Sequence, residues 1–124
     1  MPKTDVVLFR EDDESVPLVE WLDTLPKKAQ AKCVGALRRL ELLGHELRRP
    51  EADYLRDDIF ELRVGLQGVN YRMLYFFQGR TVVVVSHGLI KERFVPPKEI
   101  DRAIERRRRF MADPKLHAFK PEGY

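Results

Sequence analysis

The spacing of three cations frames the chemistry this sequence could carry. Arg63 closes the run Asp58-Ile59-Phe60-Glu61-Leu62-Arg63, Arg72 sits within Asn70-Tyr71-Arg72-Met73-Leu74-Tyr75-Phe76, and Lys91 ends Val85-Ser86-His87-Gly88-Leu89-Ile90-Lys91. Arginine offers a planar fork that grips a phosphate through two N–H groups, and lysine a compact point charge. Such a set suits binding a phosphodiester and stabilising the charge that builds on it during cleavage. Each also has a structural alternative. Arg63 and Arg72 can pair with Glu61 on a sheet face, and Lys91 can protect an edge strand from aggregation. The candidate proton carriers are Glu61, His87, whose intrinsic range suits a shuttle but whose place at a strand end also suits a structural hydrogen bond, and the late residues His117 and Tyr124. No Gly-rich phosphate loop, paired catalytic carboxylates or metal-ligand spacing occurs, so neither a metal nor a cofactor is expected. Cys33 is the one cysteine; it cannot form an internal disulfide and reads as a small buried residue.

The elements that must position these groups follow from periodicity. Val6 to Phe9 is a short apolar run ending at the acidic Glu11 to Glu14, and it predicts a strand. Ser15 can cap a first helix with Pro17 in its opening turn, and Leu18, Trp21, Leu22 and Leu25 keep the spacing of one apolar helical face. Pro26 breaks that helix and starts a second, carried by Ala29, Cys33, Ala36, Leu37 and Leu40 and ended by Gly44. After a polar connection from His45 to Asp58, the period drops to two. Strands are predicted over Ile59 to Val64, Tyr71 to Phe77 and Thr81 to Ser86, with turns at Gln67-Gly68 and Gln78-Gly79. Pro96-Pro97 opens a last helix with an apolar stripe of Ile100, Ala103, Ile104, Arg107 (by its stem) and Met111. The expected class is α+β, in the order β-α-α-β-β-β-α, a small antiparallel sheet with helices on one face. Arg63 and Arg72 would then share the open face, with Glu61 or a phosphate between them.

Composition bounds the partners. The 124 residues suffice for one domain, expected over 1–111, with an irregular tail over 112–124. Hydrophobic residues reach 44%, enough for a core, and charged residues 35%, giving a densely ionic surface. No apolar stretch approaches the roughly twenty residues of a transmembrane helix, and no signal-peptide pattern opens the chain. A soluble cytoplasmic domain is expected. The net charge of +3 divides unevenly: residues 1–62 carry a balance of −4 and residues 63–110 one of +7. Such a gathering of basic charge suggests a polyanion, nucleic acid first, or else a solvated charged helix.

The runs containing Arg63, Arg72 and Lys91, followed by Pro96-Pro97-Lys98-Glu99-Ile100-Asp101-Arg102-Ala103, resemble the HigB branch of the RelE/ParE toxin superfamily, in its phage-derived form. That group's pattern runs glycine-hydrophobic-Glu-Leu-Arg, then Tyr-Arg-hydrophobic-hydrophobic-Tyr, then His-Gly-Phe-x-Lys-Lys, then Pro-x-x-Glu-Ile-x-x-Ala. The match spans about Val16 to Phe110 in unbroken order. It implies a RelE-like fold and the toxin of a type II toxin–antitoxin system. Such a toxin is a metal-independent endoribonuclease that cuts mRNA in the 30S decoding site by attack of a ribose 2′-OH on the adjacent phosphate. The implied partners are a cognate helix-turn-helix antitoxin and ribosome-bound mRNA, with operator DNA reached only through the antitoxin. Arg63, Arg72 and Lys91 fall on the family's cationic positions, and Tyr71 and Arg93 are further RNA-contact candidates. The sequence departs from the pattern at Leu89 for Phe, at Glu92 for the second lysine, with Arg93 able to compensate, and at Asp57-Asp58 where glycine is common. Two other readings share the fold: a ParE-like gyrase inhibitor, and a non-toxic binding or regulatory member.

Overall fold

The computed structural model describes residues 4–91 and 93–121. It is α+β: a mixed sheet of six strands with four helices distributed over both faces. The strands are β1 (Asp5–Phe9), β2 (Ala52–Arg56), β3 (Ile59–Leu66), β4 (Val69–Gln78), β5 (Val82–Ile90) and β6 (Ala118–Phe119). They lie in the order β2-β3-β4-β5-β1-β6. The run β2 to β5 is an antiparallel meander, and β1 pairs parallel to β5, Asp5 opposite Val82 and Leu8 opposite Val85.

Helices α1 (Pro17–Asp23) and α2 (Lys27–Leu43) form the expected hairpin, broken at Pro26 and closed by Gly44 at φ +52°. Their apolar stripe, with Leu18, Ala29, Cys33, Leu37 and Leu40, meets Val6, Leu8, Leu62, Val64, Tyr71, Met73, Tyr75, Val83 and Val85 of the sheet. Ser15 does not cap α1; Val16 holds that position, and the Ser15 hydroxyl donates to Asp13 instead.

The opposite face is not open. Helix α3 (Pro97–Ala112) lies over it and buries Ile100, Ala103 and Phe110 against Phe9, Ile59, Leu74, Phe76, Val84 and Leu89. The expectation of helices on one face fails because β4 is apolar on both sides: Tyr71, Met73 and Tyr75 face one layer of helix, Leu74 and Phe76 the other. A strand that reads as a continuous apolar run is one buried on both faces. The stripe of α3 also closes on Phe110, which is buried, while Met111 is 39% exposed.

Two segments expected to be irregular are ordered. The connection before Ile59 contains β2, whose hairpin to β3 turns on Asp57 and Asp58 at φ +52° and +67°. A two-residue turn of this hand needs positive φ at both positions, which aspartate tolerates better than most residues, so the Asp-Asp pair can make the turn without a glycine. Beyond Ala112, α4 (Pro114–His117) is capped by Asp113, whose carboxylate accepts from the Leu116 N–H at 3.3 Å, and β6 pairs with β1.

Gly88 on β5 has no room for a side chain, because an added Cβ would overlap the Trp21 ring of α1. Gly88→Ala is therefore expected to push α1 off the sheet and lower stability by about 1–3 kcal/mol, measured as a shift in the denaturant midpoint. An unchanged midpoint would mean that Trp21 yields freely.

Candidate functional site

The β3–β4 register sets Arg63 directly opposite Arg72. Alternation along the strands then puts Glu61, Arg63, Arg72, Leu74 and Phe76 on one face. Leu74 and Phe76 lie in the α3 cluster, and Arg72 continues the same strip beside the connection from β5 to α3. Glu61 sits between the two arginines and serves both: Arg72 Nη1 donates to its Oε1 at 2.8 Å and Arg63 Nη2 to its Oε2 at 3.1 Å.

The two arginines differ sharply in burial. Arg72 is 6% exposed and Glu61 2%. Arg72 also donates from Nε to the Lys91 carbonyl at 3.2 Å and from Nη2 to the Arg93 carbonyl at 2.6 Å. Its guanidinium thus pins the backbone that carries two further cations. The Arg63 side chain is 39% exposed. Its bonds among the described residues all run through Nη2, to Glu61 and to Asp53 Oδ2 at 3.1 Å. Nε and Nη1 keep no partner there. Asp53 is also held by Arg49 at 3.0 Å, and the Arg49 hydrogen bond and charge, more than Arg63, keep its carboxyl below the usual range.

Arg63, Arg72 and Arg93 line a cleft of about 270 Å³, together with Val64, Gly65, Asn70 and Tyr71. Lys91 and Arg93 are exposed, and among the described residues no carboxylate pairs with either side chain. The Tyr71 ring lies edge-on to Trp21, 6.3 Å between centroids, and only 5% of the residue is exposed. Its ring packs in the core under α1, while the residue also contributes to the lining of the cleft.

The expected proton carriers lie elsewhere or are enclosed. His87 is 5% exposed. Its Nδ1 is 2.8 Å from Ser86 Oγ and its Nε2 is 3.0 Å from Glu99 Oε1, on the first turn of α3. A bulge in the β4–β5 pairing turns both Ser86 and His87 toward α3. The series Ser86, His87, Glu99 has the partners of a hydrolytic triad, but Ser86 is wholly buried and offers no nucleophile to a substrate. It is a polar seam between β5 and α3. Burial, then repulsion from Arg106, pushes the His87 imidazole down to about 4, against the pull of Glu99. His117 is 4% exposed, stacks on Phe9 at 5.0 Å and engages the Arg10 carbonyl at 2.8 Å, on the β1 side of the sheet and apart from the arginine cleft. Tyr124 and Glu92 lie outside the described residues. Cys33 is buried, and burial pushes its thiol up to about 11, so it is no nucleophile. Among the described residues no three His, Cys, Asp or Glu side chains gather to hold a metal ion, and no helix is long and apolar enough to cross a membrane.

The basic run Arg106 to Arg109 is consumed internally. Arg109 pairs with Glu11 at 2.9 Å and Asp12 at 3.2 Å, and Arg106 approaches Glu11 at 3.6 Å. Both guanidinium groups lie over the Phe9 ring, at 5.6 and 5.2 Å. Arg107 approaches Asp58 at 3.7 Å, and Arg108 pairs with Glu105. Sequence reading missed Asp53 and Arg49 as neighbours of Arg63, because β2 was not recognised; the alternation of Ala52, Asp53, Tyr54 and Leu55 was the available signal.

Residues 20–108 match the family described as phage derived protein Gp49-like (DUF891). The chain belongs to this Gp49-like family, a phage-derived, toxin-like family of the RelE/ParE type. The matched span contains Arg63, Arg72, Lys91 and Arg93 and leaves His117 outside. No curated protein matches the sequence.

Two outcomes follow from this geometry. Arg72→Ala or Glu61→Ala strands a buried charge and is expected to cost about 3–5 kcal/mol, whereas Arg63→Ala, at a half-exposed pair, costs about 0–1 kcal/mol. Chemical denaturation of the three variants separates them, and equal losses would contradict the buried-pair geometry. For His87, the unfolded chain takes up a proton near pH 6.5 that the folded chain accepts only at about 4. Stability is therefore full above pH 6.5 and falls as pH drops through that window, by about 1.4 kcal/mol per pH unit. His87→Gln is expected to flatten this part of the stability curve; an unaltered slope would assign the titration to another group.

Proposed function

We propose that this protein is the toxin of a type II toxin–antitoxin pair and acts as an endoribonuclease on mRNA held in the 30S decoding site. The observation that carries the reading is the cleft lined by Arg63, Arg72 and Arg93, with Lys91 beside it, in a chain of a toxin-like family. In the proposed step a ribose 2′ oxygen attacks the adjacent phosphorus as its proton leaves, and the P–O5′ bond breaks. The 5′ oxygen takes up a proton, leaving a 2′,3′-cyclic phosphate and a 5′-hydroxyl. Negative charge builds on the non-bridging oxygens. Arg63, through Nε and Nη1, and the ammonium of Lys91 supply donors to it. Arg72 serves from below, by fixing the Lys91–Arg93 backbone. Because Glu61, His87 and His117 are enclosed, the reading leaves the proton transfers to water at the cleft. Requiring a 2′-OH would select RNA over DNA. A helix-turn-helix antitoxin is the proposed partner, and it would be the one to contact operator DNA.

The enclosure of these acid–base candidates favours a second reading, a ParE-like inhibitor of DNA gyrase without nuclease chemistry. Induced expression without an antitoxin separates the two. The endonuclease reading expects translation to stop and translated messages to fragment while supercoiling stays normal. Intact messages with double-strand DNA breaks would transfer the assignment to gyrase. Cleavage is expected to persist in EDTA when polyamines keep the ribosomes whole; abolition by the chelator would count against the 2′-OH route. Arg63→Ala and Lys91→Ala are each expected to lower the single-turnover cleavage rate by roughly a hundred- to a thousandfold with an unchanged melting temperature. Folded variants of full activity would remove both residues from the site.

A further inference from the structure

A second cleft, of about 450 Å³, adjoins the first and is lined by Ile90, Lys91, Arg93, Phe94 and Pro96. Phe94 is 70% exposed and Ile90 48%, although Val95 beside them is buried. A single exposed apolar residue is ordinary, but here a bare phenyl ring, an isoleucine and a proline line one recess edged by two cations. Arg93 lines both clefts, so a group bound to phosphate in the first stands next to the apolar recess of the second. Binding sites for single-stranded nucleic acid combine the same two parts, a cationic track for the backbone and an aromatic ring on which a base stacks. A protein partner would be served by the apolar wall alone; the flanking Lys91 and Arg93 favour an anionic chain with planar bases. Leu89, close by on β5, offers no ring and is buried under α3.

We infer that Phe94 is the base-stacking residue of this site, receiving a nucleobase that flanks the phosphate held at Arg63 and Lys91, beside Arg93. The inference rests on the endoribonuclease reading and adds a specificity element to it. Stacking needs a flat π-face, not merely an apolar side chain, so Tyr or Trp should replace Phe94 while Leu should not.

The test is cleavage of an mRNA programmed into purified ribosomes by the full-length protein, with KM and kcat read separately. Phe94→Ala and Phe94→Leu are expected to raise KM by roughly five- to a hundredfold with an unchanged melting temperature, and Phe94→Trp to restore it. Abasic nucleotides placed one at a time around the cut should identify one position at which the wild type falls to the level of Phe94→Ala. The variant should lose nothing further there. Wild-type cleavage with Phe94→Ala or Phe94→Leu at full efficiency would overturn the stacking role alone. If Phe94→Ala instead abolished self-association while cutting normally, the recess would be a protein contact. Absence of wild-type cleavage would overturn the endoribonuclease reading and this inference with it.

Discussion

A guanidinium removed from water must have its charge balanced and its N–H groups directed at acceptors. Arg72 meets that demand with one carboxylate oxygen of Glu61 and the carbonyls of Lys91 and Arg93. Much else is arranged around this. Glu61 can be buried only because two arginines face it, and Arg63 is held at the rim by the second oxygen of the same carboxylate. The segment leaving β5 is fixed at the carbonyls of 91 and 93, and the side chains of Lys91 and Arg93 are exposed beside the cleft. One charge inside the sheet thereby positions three at its surface.

The charge asymmetry has a related resolution. The acidic first half and the basic second half of the chain meet in the folded protein, where Glu11 and Asp12 take Arg106 and Arg109, and Asp101 takes Arg56. Most of the basic excess therefore balances the protein's own carboxylates. At the cleft, Lys91 and Arg93 have no carboxylate partner among the described residues, and Arg63 keeps Nε and Nη1 for an anion.

Much of this was legible in the sequence, for identifiable reasons. The helical hairpin and the β3–β4–β5 meander follow from period, from Pro26 and from Gln67-Gly68, and the sharing of one face by Glu61, Arg63 and Arg72 follows from strand alternation. The covering of that face by α3 was missed. An arginine in a strand suggests an open face, but Glu61 and two carbonyls make the burial of Arg72 tolerable, and the second apolar set on β4, Leu74 and Phe76, is the contrary signal. β2 escaped because an edge strand with Asp53 and Arg56 reads as a polar loop. The enclosure of His87 depends on Glu99, twelve residues away on another element, a contact that no local pattern encodes.

The parallel pairing of β1 with β5 carries a consequence for how the protein is made. Residues 5–8 have no sheet neighbour until residues 82–85 have been synthesised, and their other edge is covered only by 118–119. Such long sequence separations place β1 among the late contacts to form. Until α3 is in place, Phe9 lacks the arginines that lie over its ring, and the seam that seats α3 is incomplete. The layer formed by α3 is thus added late, after the helical hairpin and the β2–β3–β4 meander already have all the residues that they need.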